Sequence, residues 1–173
     1  MLFRSRGVDL GCGTGLMGVA LGAGKTRAVG QTPVVRSLAG VDLSPKMVDF
    51  ARMTGAYDRL VAGDLIDFLA AENDAACDLV VAADVFVYIG DLGAIFTQCA
   101  RTLVPNGILA FSVQHSEDAD WKLGGDLRYA HSQVYLRGLA ARHGFEAALL
   151  EEASTRKDAG RDVPGLVCVL ART

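Results

Sequence analysis

Little in this 173-residue chain points to metal, disulfide, membrane or polyanion chemistry. Its four cysteines, at 12, 77, 99 and 168, make no C-x-x-C pair and have no His at zinc-finger distance, which removes the usual metal and dithiol motifs. Cys12 lies in a glycine cluster and the others in apolar runs, where a thiol acts as a small core hydrophobe, so all four are expected to be reduced. Basic residues are not in excess. Against 20 Asp+Glu stand 17 Lys+Arg, a net charge of −3, so the electrostatic footprint of a dedicated nucleic-acid or acidic-membrane binder is absent. Met1 to Arg6 has charge but no apolar h-region, so no secretory signal is read there. The longest apolar stretch, Leu79 to Ile89, contains Asp84 and is too short to span a bilayer. There is no internal repeat, low-complexity tract or dividing linker. What is left is a single domain over residues 1–173, expected in the cytoplasm. A chain of this size buries roughly 70% of its unfolded surface and needs no disulfide or metal to build a core.

What is present is alternation. Val8-Asp9-Leu10 is a brief strand broken by Gly11, and Thr14 to Ala23 reads as a helix with Leu16, Met17, Ala20 and Leu21 on one face. Leu38 to Leu43 is a second strand. Ser44 as N-cap and Pro45 at the first helical position then start a helix carrying Met47, Val48, Phe50 and Ala51. Leu60 to Gly63 and Leu65 to Glu72 repeat the pattern. Cys77 to Ala83 is nearly unbroken apolar sequence, as in a strand buried on both faces. Asp91 to Leu103 predicts a helix ended by Pro105-Asn106-Gly107, Ile108 to Val113 a fifth strand, and His131 to His143 a helix closed by Gly144. Phe145 to Leu150 and Leu166 to Leu170 finish as an antiparallel pair joined by a polar loop, Ser154 to Pro164. Five β-α units and a closing hairpin predict an α/β fold, a doubly wound, mostly parallel seven-stranded sheet with a C-terminal antiparallel hairpin.

The sharpest feature is Val8-Asp9-Leu10-Gly11-Cys12-Gly13-Thr14-Gly15 between a strand and a helix. Glycines there let the backbone turn tightly and approach a ligand. A dinucleotide wants G-x-G-x-x-G, and the spacing here is one residue short. Gly24-Lys25-Thr26 resembles the end of a triphosphate loop, but the required first glycine falls on Val19, Gly18 is out of register by one, and the preceding residues read as helix. It is a decoy.

The loop resembles motif I of the class I S-adenosylmethionine-dependent methyltransferases, D-x-G-x-G-x-G, matched by Asp9 to Gly15. The resemblance extends through Gly40-Val41-Asp42-Leu43-Ser44-Pro45-Lys46-Met47, Gly63-Asp64-Leu65, Asp78 to Val85, and Leu103-Val104-Pro105-Asn106-Gly107-Ile108-Leu109. Five blocks in register cover nearly the whole chain, with the closest likeness to small bacterial members often fused to tetratricopeptide repeats. The resemblance implies a Rossmann-like methyltransferase fold, S-adenosylmethionine as cofactor, and methyl transfer to a small-molecule acceptor by in-line displacement. Asp9, Gly11, Cys12, Gly13 and Gly15 would then form the cofactor loop. Asp42, with Leu43 beside it, would take the ribose, and Asp64 and Leu65 the adenine. Met47 and Val85 would enclose the ring, with Asp84 beside them. A non-catalytic S-adenosylmethionine-binding module and a nicotinamide oxidoreductase are the alternatives, the latter disfavoured by the glycine spacing and the closing hairpin. No nucleic-acid or membrane partner is expected.

Two departures stand out. Between Gly15 and Asp42 lie 26 residues, against about 20 between a nucleotide-loop glycine and its acidic partner, the excess falling in Gly22 to Ser37. Strand one also begins about seven residues from the N-terminus, so the cap helices that family members carry ahead of it are expected to be missing. On the acceptor side, beyond strands four and five, stand Asp84, Tyr88, Asp91, Gln114, His115 and Ser116, with Arg128 to Tyr135 as a far wall. His131 and His115 are the imidazoles that could act as bases if the acceptor must lose a proton, and Tyr88 is expected to line the methyl pocket. His143 reads as a helix C-terminal residue. Trp121 with Glu117, Asp118 and Asp120 reads as a solvated lid. No Asn-Pro-Pro-Tyr follows strand four, where Asp84-Val85-Phe86-Val87 stands, which argues against amino-methylation of adenine or glutamine.

Overall fold

The computed structural model describes residues 5–23, 33–117, 120–158 and 160–173, with side chains left out at 155–158 and 161. The Gly24-Lys25-Thr26 decoy and Asp118 lie outside the described residues. Five parallel strands stand in the order β3 (Arg59–Ala62), β2 (Ser37–Asp42), β1 (Arg6–Leu10), β4 (Cys77–Ala82) and β5 (Leu103–His115). The sheet continues with β9 (Arg161–Arg172) antiparallel to β5, and β8 (Phe145–Asp158) antiparallel to β9. These seven strands are the predicted doubly wound, mostly parallel sheet with its closing hairpin.

The crossovers are α1 (Leu16–Ala20), α2 (Pro45–Thr54), α3 (Leu65–Ala70), α4 (Gly93–Thr102) and α5 (Gln133–Arg142). Capping fixes where they begin. The Ser44 hydroxyl accepts from Met47 N, with Pro45 supplying a first residue that has no N–H to satisfy. Asp64 accepts from Ile66 N at 2.7 Å and Asp67 N at 3.2 Å. The far end of α3 is closed from a distance: the Arg101 guanidinium donates to the carbonyls of Leu69 and Glu72 at 2.7 and 2.8 Å, satisfying acceptors a helix end leaves open. The larger core lies where α3, α4 and α5 pack on the sheet and includes Leu10, Val80, Phe86, Phe96, Leu109, Leu136 and Leu166, while Ala23, Val35 and Leu38 form a separate, smaller cluster. Removing such side chains from water at roughly 25 cal/mol per Å² is what holds the helices on the sheet.

Two expectations need correction, and one element was not expected. The stretch Ser154 to Pro164 is not a loop, because β8 and β9 pair through it to Asp158 and Arg161, backbone pairing overriding its polar composition. Helix five starts later than predicted. Ser132 is its N-cap, accepting from Tyr135 N at 3.1 Å, and His131 belongs to a strand. That strand, β7 (Tyr129–His131), pairs antiparallel with β6 (Trp121–Leu123) and parallel with the tip of β5, through Gln114↔Ala130 and His115↔His131. Nothing in the polar stretch 117–131 alternates for long enough to show a strand of three residues. Together β6 and β7 form a small flap at the C-terminal edge of the sheet, where β1, β2 and β4 also end.

Candidate cofactor and acceptor site

The strand register determines which residues meet. Leu10 pairs with Val41, Asp42 with Ala62, and Asp9 with Val81, so the loops after β1, β2, β3 and β4 leave the sheet at one level. Between them lies a cleft of about 570 Å³ lined by Gly11, Gly13, Asp42, Leu43, Asp64, Leu65, Ile66, Ala83, Asp84, Val85, Tyr88, Ile89 and Ile95. A second hollow of about 410 Å³ adjoins it, sharing Gly11, Gly13 and Ala83 and adding Asp9, Cys12, Thr14, Leu16, Met17 and Ala20. Both volumes fall in the range of small-molecule sites.

The first turn is built by positive φ at Gly11 (68°) and Gly13 (51°), a region that costs a side-chain-bearing residue roughly 1–2 kcal/mol. Gly11 also passes so close to Val85 that an added Cβ would stand 2.4 Å from Val85 Cγ2. Cys12 N donates to Val41 O at 2.9 Å, binding the turn to β2. The Asp42 carboxylate completes the junction, with Oδ2 accepting from Gly13 N and Oδ1 from Ser44 N, both at 2.9 Å. An amide that a phosphate would need is thus already given to a carboxylate of the chain itself. With Asp42, Asp64 and Asp84 all on its wall, the cleft favours a cationic ligand over a polyphosphate.

Asp9 sits deeper. It is 1% exposed and accepts from the Tyr57 hydroxyl at 2.6 Å, while that hydroxyl accepts from Gly18 N at 3.1 Å. Burial lifts the Asp9 carboxyl from 3.8 to about 6, against the lowering effect of the Tyr57 hydrogen bond and with a further rise from the charge of Asp42. The Tyr57 phenol is itself raised, by burial and then by Asp9. Burial and the two neighbouring carboxylates push the Cys12 thiol up to about 12, so it is an inert wall rather than a nucleophile.

Of the residues predicted for the cofactor, Asp9, Gly11, Cys12, Gly13, Asp42, Leu43, Asp64, Leu65, Asp84 and Val85 line one hollow or the other. Gly15 and Met47 do not. Gly15 is the N-cap of α1 and packs against α2, where a Cβ would stand 3.0 Å from Ala51 Cα. The apolar wall expected from Met47 comes instead from Ile66, Ile89 and Ile95, which spacing alone did not single out. Tyr57 was also missed. It stands in a turn between α2 and β3, 48 residues from Asp9, and no local signal marks it.

On the acceptor side the residues separate. Tyr88 lines the cleft and is 59% exposed. His115 and His131 line neither hollow. His115 Nδ1 lies 3.7 Å from Glu152 on β8. His131 is fully buried, its Nε2 bonded to Gly90 O at 2.9 Å and its ring stacked on Tyr135. Burial lowers its pKa, opposed by the Gly90 and Ile89 carbonyls, so near neutral pH it is an uncharged imidazole donating from Nε2. Asp91 accepts from Gly93 N and Tyr135 Oη, both at 2.9 Å, and these bonds, in that order, hold its pKa down. Gln114 donates to Asp126 at 3.1 Å. The Trp121 indole lies against Gly90, where a Cβ would be 2.8 Å from its ring.

Comparison with known proteins agrees with this geometry. Residues 8–111 match the model of the family described as "Methyltransferase domain". The chain is 28% identical over 130 residues to the ubiquinone biosynthesis O-methyltransferase of Idiomarina loihiensis, covering 71% of this chain and 48% of that protein. It is 24% identical over 151 residues to the trans-aconitate 2-methyltransferase of Delftia acidovorans, covering 87% and 49%. The chain therefore spans about half the length of these curated relatives. Its fold superposes on the crystal structure of a protein from Listeria monocytogenes described as an S-adenosylmethionine-dependent methyltransferase, with a TM-score of 0.74 at 17% identity, covering 98% of this chain and 90% of that one. A matched block that runs from the first strand into the fifth and contains the glycine turn, Asp42, Asp64 and Asp84 decides the matter: the chain belongs to the methyltransferase domain family.

Proposed function

We propose that this protein binds S-adenosylmethionine across the two adjoining hollows and transfers its methyl group to a small-molecule acceptor. The observation that carries this reading is the Asp42 carboxylate, held at the cleft by the amides of Gly13 and Ser44 at 2.9 Å and bordered by the wall that Asp64 and Leu65 share. In this reading Asp42 takes the ribose diol, each charged hydrogen bond contributing about 1.5–3 kcal/mol. The adenine lies between Leu43, Leu65, Ile66 and Val85, near Asp64, and the methionine ammonium lies toward Asp9. The bound cofactor supplies an electrophilic methyl on sulfur. The chain's part is to hold the acceptor in line with it and exclude water, and orientation of this kind lowers a barrier by on the order of 7–11 kcal/mol. Tyr88 stands where the acceptor enters. His131, buried and neutral, is read as a positioning residue that fastens the flap to Gly90.

Within the family we place the chain beside the small bacterial members often fused to tetratricopeptide repeats, on the strength of its five sequence blocks, and in the cytoplasm. Among the described residues no helix is long and apolar enough to cross a membrane. A second reading, an S-adenosylmethionine-binding module without turnover, is favoured by one observation: neither imidazole lines the cleft. Calorimetric titration with S-adenosylhomocysteine and, separately, NAD tests the cofactor. One-to-one binding of the first and none of the second is expected, and the reverse excludes the reading. Turnover against a metabolite panel then separates enzyme from module.

A further inference from the structure

The flap delivers one side chain that the cofactor reading does not use. Gly124 N donates to Arg128 O at 2.7 Å and Leu127 N to Gly124 O at 3.1 Å, closing the turn between β6 and β7, with Leu127 at φ 59°. Arg128 N also donates to Asp126 Oδ1 at 3.3 Å. The turn is anchored on both sides, by β7 on the tip of β5 and by His131 and Trp121 on Gly90. Arg128 therefore leaves a fixed base. Its guanidinium carbon lies 5.3 Å from the centre of the Tyr88 ring, and Nη2 donates to the Tyr88 hydroxyl at 3.2 Å.

The remaining fork of the guanidinium is unfilled. Nη1 is buried and has no hydrogen-bond partner among the described residues. Asp84 Oδ2 stands 3.9 Å from it, an ion-pair separation but beyond hydrogen-bond range. Leaving a charged donor buried and unbonded is costly, and native proteins rarely do so without a use for it. The Tyr88 hydroxyl, accepting from Nη2, has its own proton left to give. Two donors thus stand together at the rim of the cleft, on residues that touch its wall through Tyr88 and Asp84. Rigid donors in fork geometry match a planar oxyanion. Asp42, Asp64 and Asp84 already make the cleft negative, so a group with one charge is accommodated more readily than a phosphate dianion.

We infer that the acceptor carries a carboxylate, and that Arg128 with Tyr88 receives it, making Arg128 a specificity-determining residue of the site. This rests on the methyl-transfer reading given above. The test uses the full chain with S-adenosylmethionine and a panel of hydroxy acids, each paired with its primary amide, with release of S-adenosylhomocysteine as the readout. The acids are expected to show kcat/KM at least tenfold above their amides. Arg128→Met should raise the KM of the best acid at least tenfold, while the rate on amides and the affinity for S-adenosylhomocysteine stay within twofold. Arg128→Lys, which keeps the charge and loses the fork, should recover part of that loss. Equal use of acids and amides, no acid turned over by cofactor-bound protein, or an Arg128→Met loss that falls equally on both members of a pair overturns the inference while leaving the cofactor site standing. Failure of the wild type to bind S-adenosylhomocysteine overturns both.

Discussion

Replacing Asp42 by alanine separates what this residue does for the fold from what it does for a ligand. In the structure the carboxylate is the acceptor for Gly13 N and Ser44 N, each at 2.9 Å, so its removal strands two amides that water can partly reach. That costs about 1–3 kcal/mol of stability. For a chain of this size each kcal/mol lowers Tm by roughly 2–4 °C, so a drop of several degrees is expected. The ligand loss is separate and larger. A ribose diol giving charged hydrogen bonds to this carboxylate forfeits about 1.5–3 kcal/mol for each, and even one such bond is a roughly tenfold to hundredfold change in Kd. Asp42→Asn keeps the shape and one acceptor oxygen but turns its amide N–H₂ toward a backbone donor, so it should fall between wild type and Asp42→Ala in both quantities. Calorimetry with S-adenosylhomocysteine, run well below each variant's Tm, measures the binding term, and thermal melts measure the other. An Asp42→Ala protein that melts lower yet binds S-adenosylhomocysteine within threefold of wild type refutes the ribose assignment and leaves Asp42 a purely structural clamp.

Four further outcomes follow from the same geometry. Because the native Asp9 carboxyl holds its proton up to about pH 6 while the unfolded chain releases it near 3.8, wild-type stability should fall relative to Asp9→Asn by about 2 kcal/mol as pH rises from about 4 to 6, and by about 3 kcal/mol in full from about pH 3 to 8, as denaturant melts would show. If the ligand ammonium lies toward Asp9, S-adenosylhomocysteine should bind more tightly as pH rises through about 6 and then level off, with no such step in Asp9→Asn. Gly11→Ala places a Cβ 2.4 Å from Val85 Cγ2 at a φ of 68°, so it should destabilise strongly; adding Val85→Ala relieves the clash but not the dihedral, and a double-mutant cycle should show partial rescue. Arg101→Met removes the donors that close the end of α3 and should lower stability by about 1.5–3 kcal/mol, measured by urea unfolding, with no effect on ligand binding.

The alternation of strands and helices and the parallel character of the sheet were legible because parallel strands buried on both faces have a sequence signature, as in Cys77 to Ala83, and because Ser44-Pro45 and Asp64 state their helix starts locally. Asp9, Asp42 and Asp64 were singled out by the resemblance of their sequence blocks to the family, and the structure brings all three to the two adjoining hollows. What escaped is set by tertiary contact. Tyr57 reaches Asp9 across 48 residues, and Ile66, Ile89 and Ile95 come together only when α3, the β4 loop and α4 pack. The flap escaped because strands of three residues are too short for an alternating pattern to show, and His131, read as a candidate base, is drawn into the core by its pairing with His115 and its bond to Gly90. The polar stretch Ser154 to Pro164 misled in the other direction, since two strands already in register go on pairing whatever their side chains prefer.

The most direct measurement supplies S-adenosylmethionine labelled on its methyl group to the full chain with a mixture of small-molecule acceptors and follows the label. Methyl transfer is expected to place it in a low-molecular-weight product, with one S-adenosylhomocysteine formed for each label moved and both reduced in Asp42→Ala at subsaturating S-adenosylmethionine. Tight binding of S-adenosylmethionine with the label still on sulfur would contradict methyl transfer and leave a binding module in its place.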